Sequence, residues 1–215
     1  MNDTLHINPE GAQTHQGAPH PVMDDNSSPR SLIIYTVVAL ALAFFIRFFI
    51  AAPYVVNGAS MVPAFYDYHY LIIDRVSYDF GQPQRGDVIV LDLPQQTSRA
   101  LIKRVIGLPG ETIVLKAGTV TIINAGHPRG FVLSEPYLLP ENIGGPTDIT
   151  VTLGEDEYYV LGDNRRVSAD SRTWGVLPKK DIVGRALFRL FPFNNIDFLP
   201  GTVRYDDSSI TNTNS

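Results

Sequence analysis

One long apolar stretch limits what this chain can fold into. It runs from Leu32 to Ala52 and reads LIIYTVVALALAFFIRFFIAA, in which Arg47 is the one charged residue. As a helix, these 21 residues extend about 32 Å, close to the hydrocarbon thickness of a bilayer. The stretch is apolar on all sides, unlike an amphipathic core helix, and it continues past Arg47, unlike a cleaved signal peptide. We therefore predict a transmembrane helix at residues 31–52.

The rest of the chain is polar, a division hidden by the net charge of -5 and the mean hydropathy of +0.01. Residues 1–30 are rich in Pro, Gly, Asn and Ser, which predicts a disordered tail. Arg30 precedes the apolar stretch, whereas residues 53–70 contain no Lys or Arg, which favours an N-terminus on the inner side. Histidines of the tail could bind a metal, but their irregular spacing favours solvated side chains: His6, His15 and His20.

Composition and motifs exclude several classes of function. The chain has no cysteine, so it has neither a thiol nucleophile nor disulfides nor zinc-cysteine clusters. Its acidic balance, with charges of both signs mixed, does not indicate nucleic-acid binding. It contains no HExxH, P-loop or GxGxxG motif, so no metal or other cofactor is predicted. A serine-histidine-aspartate triad would need His69 or His127, and neither lies in a recognisable motif.

From Pro53 onward, short runs of alternating apolar and polar residues lie between Gly, Pro and Asp turns. They predict a mainly β catalytic body at residues 53–200, built as an antiparallel β-sheet or a barrel-like sheet, rather than a parallel α/β sheet. Residues 124–157 could form a flap, a small lobe or loops, and residues 201–215 a frayed tail. The predicted strands are Tyr70–Val76, Asp87–Leu91, Leu101–Ile106, Thr112–Leu115, Thr119–Ile123, Tyr158–Leu161 and Ile182–Phe191.

Two segments could supply a nucleophile and a base. Ser60 lies in the loop Asn57–Pro63 among small residues, although serines in such loops usually form turns. In the predicted strand Leu101–Ile106, side chains alternate between faces, so Lys103 and Arg104 point to opposite sides. Each face of this strand therefore carries one cation among apolar neighbours, which needs an explanation if the strand is interior.

Lysine and arginine differ in how they tolerate burial. A sheltered Arg104 keeps its proton and requires a carboxylate partner. Burial lowers the pKa of a lysine, so a neutral Lys103 could act as a general base for a serine; a lysine reaching solvent from a sheet edge is the alternative. The polar run Gly162–Arg172 could provide partners, with Asp163 for the arginine and Ser168 for the lysine. It could equally be a solvated surface loop.

Taken in order, these segments resemble type I signal peptidases, the membrane-anchored serine proteases that remove signal peptides from exported proteins. The resemblance implies a Ser-Lys dyad of Ser60 and Lys103 that cleaves preproteins through an acyl-enzyme. It also implies a single-pass protein of the bacterial plasma membrane with its catalytic body on the extracytoplasmic side. The segments that carry the resemblance are Ser60–Pro63, Arg85–Val88, Lys103–Gly110 and Gly162–Arg172.

The resemblance also implies a polar frame around the dyad: Ser168 to orient the lysine, and the ion pairs Asp163 with Arg104 and Asp170 with Arg172. The oxyanion would be stabilised by the backbone N–H of Ser60 and by a second donor two positions earlier. Some family members place a serine hydroxyl there, whereas this chain has Gly58. The second donor would then be a backbone group, a water or missing.

The family cleaves after small residues in an Ala-x-Ala pattern, which shallow apolar pockets explain, because larger side chains would overpack them. Val56, Met61 and Ile102 would form the pocket walls, or they would be ordinary core residues. Two other functions stay open. One is a self-cleaving Ser-Lys protease resembling the SOS repressors, and the other is a catalytically silent, membrane-tethered peptide-binding module, which Gly58 suggests.

Overall fold

The computed structural model describes residues 29–47, 51–93, 96–146, 148–205 and 210–211. The chain divides into two compact units, residues 1–40 and 41–215. In the first unit, the described residues form the beginning of a helix. Nearly all of the predicted N-terminal tail, including its three histidines, lies outside the described residues, as does much of the predicted C-terminal tail.

The apolar stretch forms a shorter helix than predicted. Helix α1 (Pro29–Phe45) has no buried residue, and its apolar side chains are exposed. The prediction that the helix continues to Ala52 is wrong, because Ala51 and Ala52 begin strand β1 (Ala51–Val55) and pair with β2 (Tyr70–Asp74). Backbone pairing with a neighbouring strand therefore decides the conformation at this point. In the described part of the chain, no helix has both the length and the hydropathy needed to cross a bilayer.

The second unit is mainly β, with antiparallel pairing throughout, as predicted. The larger sheet has the order β1-β2-β11-β3-β4-β9-β10, and β12 pairs with β11. In the described residues its path ends at β1 and β10, so of the two predicted forms, sheet or barrel-like, the pairing gives an open sheet. Its other strands are β3 (Val88–Leu93), β4 (Gln96–Gly107), β9 (Glu157–Leu161), β10 (Leu177–Pro178), β11 (Ile182–Phe191) and β12 (Asp197–Phe198).

A smaller sheet has the order β13-β7-β6-β5-β8. Residues 124–157, which could have been a flap, a lobe or loops, contribute β7 and β8 to it together with the connection between them. Two one-turn helices, α2 (Ser77–Phe80) and α3 (Ser171–Trp174), complete the regular elements, with 3-10 turns at Pro140–Asn142, Lys179–Asp181 and Phe193–Asn195. The strands are β5 (Thr112–Lys116), β6 (Thr119–Asn124), β7 (His127–Leu133), β8 (Ile149–Thr152) and β13 (Ile210–Thr211).

Strand β4 is interior to the larger sheet, since it pairs with β3 on one side and with β9 on the other. Its apolar residues alternate between different core clusters: Ile102 packs with the cluster of Met61, while Val105 packs with that of Tyr158. Both faces of β4 are therefore covered. This position buries the two neighbouring cations that the sequence places on it.

Candidate active site

Ser60 lies on the segment of residues 57–69, which we call the nucleophile loop and which connects β1 to β2. Two apolar side chains of this loop, Met61 and Phe65, are fully buried and fix it to the core. The Phe65 backbone N–H donates to the carbonyl oxygen of Met61 at 2.8 Å, which forms a tight turn directly after the serine. Packing of the residues that follow Ser60 thus holds this serine next to the sheet.

Lys103 lies on β4 and contacts this serine. Its Nζ lies 2.8 Å from Ser60 Oγ and 2.8 Å from the carbonyl oxygen of Ile102, and the residue is 2% exposed. The alternative of a lysine extending to solvent from a sheet edge is excluded by this burial and by the interior position of β4. Because burial disfavours an ammonium, the arrangement suits an amine that accepts the serine proton.

The polar segment, residues 162–172, meets the nucleophile loop at Gly162. A Cβ at this glycine would lie 2.5 Å from the carbonyl oxygen of Ser60 and 2.2 Å from Ser168 Oγ, so only glycine permits the close approach. The backbone N–H of Asn164 also donates to the Ser60 carbonyl oxygen at 2.9 Å. The polar segment therefore also fixes the backbone of Ser60.

Ser168 lies at this meeting point but does not make the predicted contact. Its Oγ is buried and has no hydrogen-bond partner in the part of the chain that the structure describes. The expected hydrogen bond from Ser168 to Lys103 is therefore not formed. An orienting role for Ser168 stays a prediction.

Arg104 and Asp163 form a fully buried, two-pronged ion pair. Arg104 Nε donates to Asp163 Oδ1 at 2.8 Å and Nη2 donates to Oδ2 at 2.7 Å, while the guanidinium lies 3.9 Å from the ring centre of Tyr137. Its Nη1 donates to the carbonyl oxygen of Gly86 at 3.0 Å. Burial opposes the arginine charge, but the hydrogen bonds and charge of Asp163 outweigh it and raise the pKa of Arg104.

Asp170 and Arg172 form a second buried pair within the polar segment. Arg172 Nε donates to Asp170 Oδ1 and Nη2 to Oδ2, each at 2.8 Å. Asp170 Oδ2 also accepts the Gly162 backbone N–H at 3.0 Å, and Arg172 Nη1 donates to the carbonyl oxygen of Gly144 at 2.8 Å. This pair therefore holds the glycine against which the serine backbone rests.

The connection between β7 and β8 supplies site residues that the sequence analysis missed. Glu135 forms a buried ion pair with Arg165, whose Nε donates to the carbonyl oxygen of Gly162 at 3.1 Å. Asn142 Nδ2 donates to the carbonyl oxygen of Val62 at 2.9 Å, which joins this connection to the nucleophile loop. These partners are 30 and 80 residues apart along the chain, so no local spacing indicated them.

Gly58, the position of the uncertain second oxyanion donor, has a φ of 90°, which favours glycine. Its backbone N–H donates to Asp67 Oδ1 at 2.8 Å. No motif in the sequence indicated Asp67. The Gly58 N–H therefore already has an acceptor within the nucleophile loop.

The three predicted pocket residues belong to one core cluster. Val56, Met61 and Ile102 are 1%, 0% and 3% exposed and pack with Phe65 and Leu71. Their burial agrees with the alternative that they are ordinary core residues. Their role in a substrate pocket stays a prediction.

Comparison with known proteins places these features in a family. Residues 30–191 match the family described as signal peptidase, peptidase S26. The chain is 40% identical to probable signal peptidase I-1 of Synechocystis sp., over 73% of this chain and 79% of that protein. It is 37% identical to signal peptidase I of Leptolyngbya laminosa, over 86% and 91%. A crystal structure of a signal peptidase I from Enterococcus faecalis is 33% identical, with a TM-score of 0.41 over 49% of this chain and 97% of that one.

Proposed function

This chain belongs to the signal peptidase family of serine endopeptidases, peptidase S26, and we propose that Ser60 and Lys103 are the nucleophile and the general base of its signal peptidase I activity. The observation that carries the proposal is the distance of 2.8 Å between Ser60 Oγ and the buried Lys103 Nζ. Hydrogen-bonding distance is what direct proton transfer between the two atoms requires.

In the first step, Ser60 Oγ attacks the carbonyl carbon of the scissile peptide bond while its proton passes to Lys103 Nζ. The resulting tetrahedral intermediate carries a negative oxygen that the Ser60 backbone N–H can stabilise. As the C–N bond breaks, Lys103 returns the proton to the leaving nitrogen, and the new amino terminus departs. Water then attacks the carbonyl carbon of the acyl-enzyme while its proton passes to Lys103 Nζ. The ester bond to Ser60 Oγ breaks, Lys103 returns that proton to Ser60 Oγ, and the signal peptide is released.

The polar frame supports this chemistry by keeping the reacting atoms in place. The Asp170 pair holds Gly162, and Gly162 and Asn164 hold the Ser60 backbone. Arg104, next to the base, is neutralised by Asp163, so its positive charge is balanced beside the amine. A neutral Lys103 is favoured by burial.

We further propose that the substrate is the signal peptide of an exported preprotein, bound in extended form with small residues before the cleavage site. Three buried residues of one core cluster, Val56, Met61 and Ile102, would limit the space for those side chains. A tightly packed floor fits this role, because an extra methylene costs about 1–3 kcal/mol in a full pocket.

The substrate and the enzyme would meet at a bacterial plasma membrane, with a single-pass anchor at the apolar stretch and the β body on the extracytoplasmic side. The sequence of that stretch supports an anchor, with one charged residue in 21. Exposed phenylalanine side chains on β11, β12 and the turn between them would suit contact with the apolar part of a membrane surface. These are Phe188, Phe191, Phe193 and Phe198.

The dyad can be tested by cleavage of a preprotein by the full chain in detergent. We expect Ser60→Ala and Lys103→Ala each to lower kcat by at least about 10³-fold. Two exposed residues provide matched controls, Ser134→Ala and Lys116→Ala, which should keep wild-type rates. An acylating inhibitor should label Ser60 in the wild type. Normal cleavage by either dyad variant contradicts the mechanism, and a failure to label Ser60 favours the silent peptide-binding module.

A further inference from the structure

The nucleophile loop contains an acceptor that neither the proposed dyad nor its polar frame uses. Asp67 Oδ1 accepts the backbone N–H of Gly58 at 2.8 Å, across a loop that carries Ser60 between the two residues. We propose that Asp67 is a positioning residue: its carboxylate closes the nucleophile loop through Gly58 and so keeps the Ser60 hydroxyl and backbone N–H aligned. This inference rests on the proposed function of Ser60.

Backbone pairing brings Asp67 to this place. The Val56 N–H donates to the carbonyl oxygen of His69 at 2.9 Å, and the Tyr68 N–H donates to the carbonyl oxygen of Val56 at 2.9 Å. These bonds extend the alignment of β1 with β2 as far as Val56. Beyond that residue the chain turns away toward the serine, and the Asp67 side chain makes the next link across the loop.

The turn that carries Asp67 is itself fixed, although the Asp67 side chain is exposed. His69 is buried, with its ring against those of Phe65 and Tyr66 at centroid distances of 6.3 and 5.8 Å. The Tyr66 backbone N–H donates to His69 Nδ1 at 3.4 Å. Arg189 holds the same turn from β11, because its Nη1 donates to the carbonyl oxygen of Ala64 at 2.9 Å. Asp67 therefore projects from a rigid base.

The contact has a consequence for the oxyanion site. An N–H that donates to a carboxylate is not free to donate to a substrate oxygen, so the Gly58 N–H is engaged while Asp67 holds it. The Ser60 N–H then remains as the backbone donor, and its direction depends on how firmly the preceding residues are fixed. Asp67 thus contributes through geometry and not by touching the substrate.

Two variants of Asp67, one neutral and one truncated, distinguish a positioning role from two others, the withholding of an oxyanion donor and an effect of the negative charge. Asp67→Asn keeps an acceptor oxygen at the same position and removes the charge, whereas Asp67→Ala removes the acceptor. If positioning is the role, Asn retains activity and Ala loses it. If Asp67 instead withholds a useful oxyanion donor, Ala frees the Gly58 N–H and activity rises. If the negative charge matters, Asn behaves like Ala.

The experiment measures kcat and KM of the full chain in detergent on a preprotein with an Ala-x-Ala site, together with Tm and amide hydrogen exchange at Gly58. We expect Asp67→Ala to lower kcat about fivefold, because the hydrogen bond that closes the loop is lost. KM should stay within about twofold, and Tm should not change, since the lost bond is exposed. Asp67→Asn should stay within about twofold of the wild type. Asp79→Ala, which removes an exposed aspartate on α2, is the matched control and should have no effect.

An unchanged or raised kcat in Asp67→Ala, or an equal loss in Asp67→Asn, overturns the proposal. So does a kcat loss that a fall in Tm accompanies. Faster exchange of the Gly58 amide in Asp67→Ala is expected even if no preprotein is cleaved, and unchanged exchange also overturns the proposal. Lack of cleavage by the wild type, or cleavage by Ser60→Ala, instead counts against the proposed function.

Discussion

The nucleophile loop, which carries Ser60, and the polar segment, which contacts the Ser60 backbone, are stabilised in different ways. The polar segment is fixed by buried ion pairs, of which Arg104 with Asp163 and Arg172 with Asp170 are at most 1% exposed. The nucleophile loop is fixed by backbone pairing, by buried apolar anchors and by hydrogen bonds that include an exposed one from Asp67. The polar segment is therefore held mainly by buried charges, and the nucleophile loop mainly by backbone and apolar contacts.

This difference fits the chemistry of a serine that must change its bonding during the reaction. The serine exchanges a hydroxyl for an ester and back, so its oxygen moves relative to the base. The supporting charges take no part in these bond changes. Breaking each region in turn should therefore affect stability and catalysis to different extents.

The largest effect is expected in the polar segment. Asp163→Ala leaves the Arg104 guanidinium buried without its carboxylate, and we expect a loss of about 3–5 kcal/mol in the free energy of unfolding. Denaturant unfolding of the full chain measures it. The double variant with Arg104→Met and Asp163→Leu removes both charges and should recover much of the loss. A loss below about 1 kcal/mol in Asp163→Ala would show that the buried pair is not what stabilises this segment.

Substitution of two glycines, Gly162 in the polar segment and Gly58 in the nucleophile loop, compares the two regions directly and should have effects of intermediate size. A Cβ at Gly162 would collide with Ser168 Oγ and the Ser60 carbonyl oxygen, whereas a Cβ at Gly58 meets nothing within 4 Å. We expect Gly162→Ala to cost about 1–3 kcal/mol of stability and roughly 10²-fold in kcat, since it displaces the serine.

Gly58→Ala should cost about 1 kcal/mol, because of its positive φ alone. A Gly58→Ser variant adds a hydroxyl donor, and we expect its kcat to exceed that of Gly58→Ala by about tenfold if the oxyanion site lacks a second donor. Preprotein cleavage and thermal unfolding of the three variants make the comparison. Equal effects of alanine at the two glycines would contradict the difference between the regions.

The smallest effect concerns pH and the nucleophile loop. Burial and, to a smaller extent, the positive charge of Arg189 lower the pKa of His69 below its usual value of 6.5. The folded chain therefore favours neutral His69, and this contribution to stability is present above about pH 6.5 and is lost as the pH falls through the folded pKa. We expect wild-type stability to decline more than that of His69→Gln between pH 7.5 and 5.5, by less than about 1 kcal/mol. Parallel declines in urea unfolding would exclude this role.

Much of the fold follows from local patterns. Period-two runs predicted seven strands, and each corresponds to a strand of the structure, because alternation is maintained wherever one face of a sheet is buried. The alternation also placed Lys103 and Arg104 on opposite faces of the strand. Burial of the permanently charged Arg104 then required a carboxylate partner. Resemblance to a known family then joined that strand to Ser60, which lies 43 residues earlier.

Other contacts depended on how loops pack, which no periodicity encodes. The connection between β7 and β8 supplies two of these contacts. Glu135 forms an ion pair with Arg165, and Asn142 donates a hydrogen bond to the nucleophile loop. Ser168 Oγ is buried without the partner that was predicted for it. Pairing with β2 likewise ended the helix before Ala51, although composition favoured its continuation.

The sequence by itself determined the apolar stretch, the mainly β body and the residue types able to act without cysteine, since these depend on composition and on the period of hydrophobic residues. The tertiary structure decided that Lys103 is buried beside Ser60, that Gly58 donates to Asp67, and that Gly162 admits no side chain. The physical reason is that burial, a hydrogen bond across a loop and close approach of two backbones all depend on the distance between segments remote in sequence. Only packing of the whole chain sets those distances.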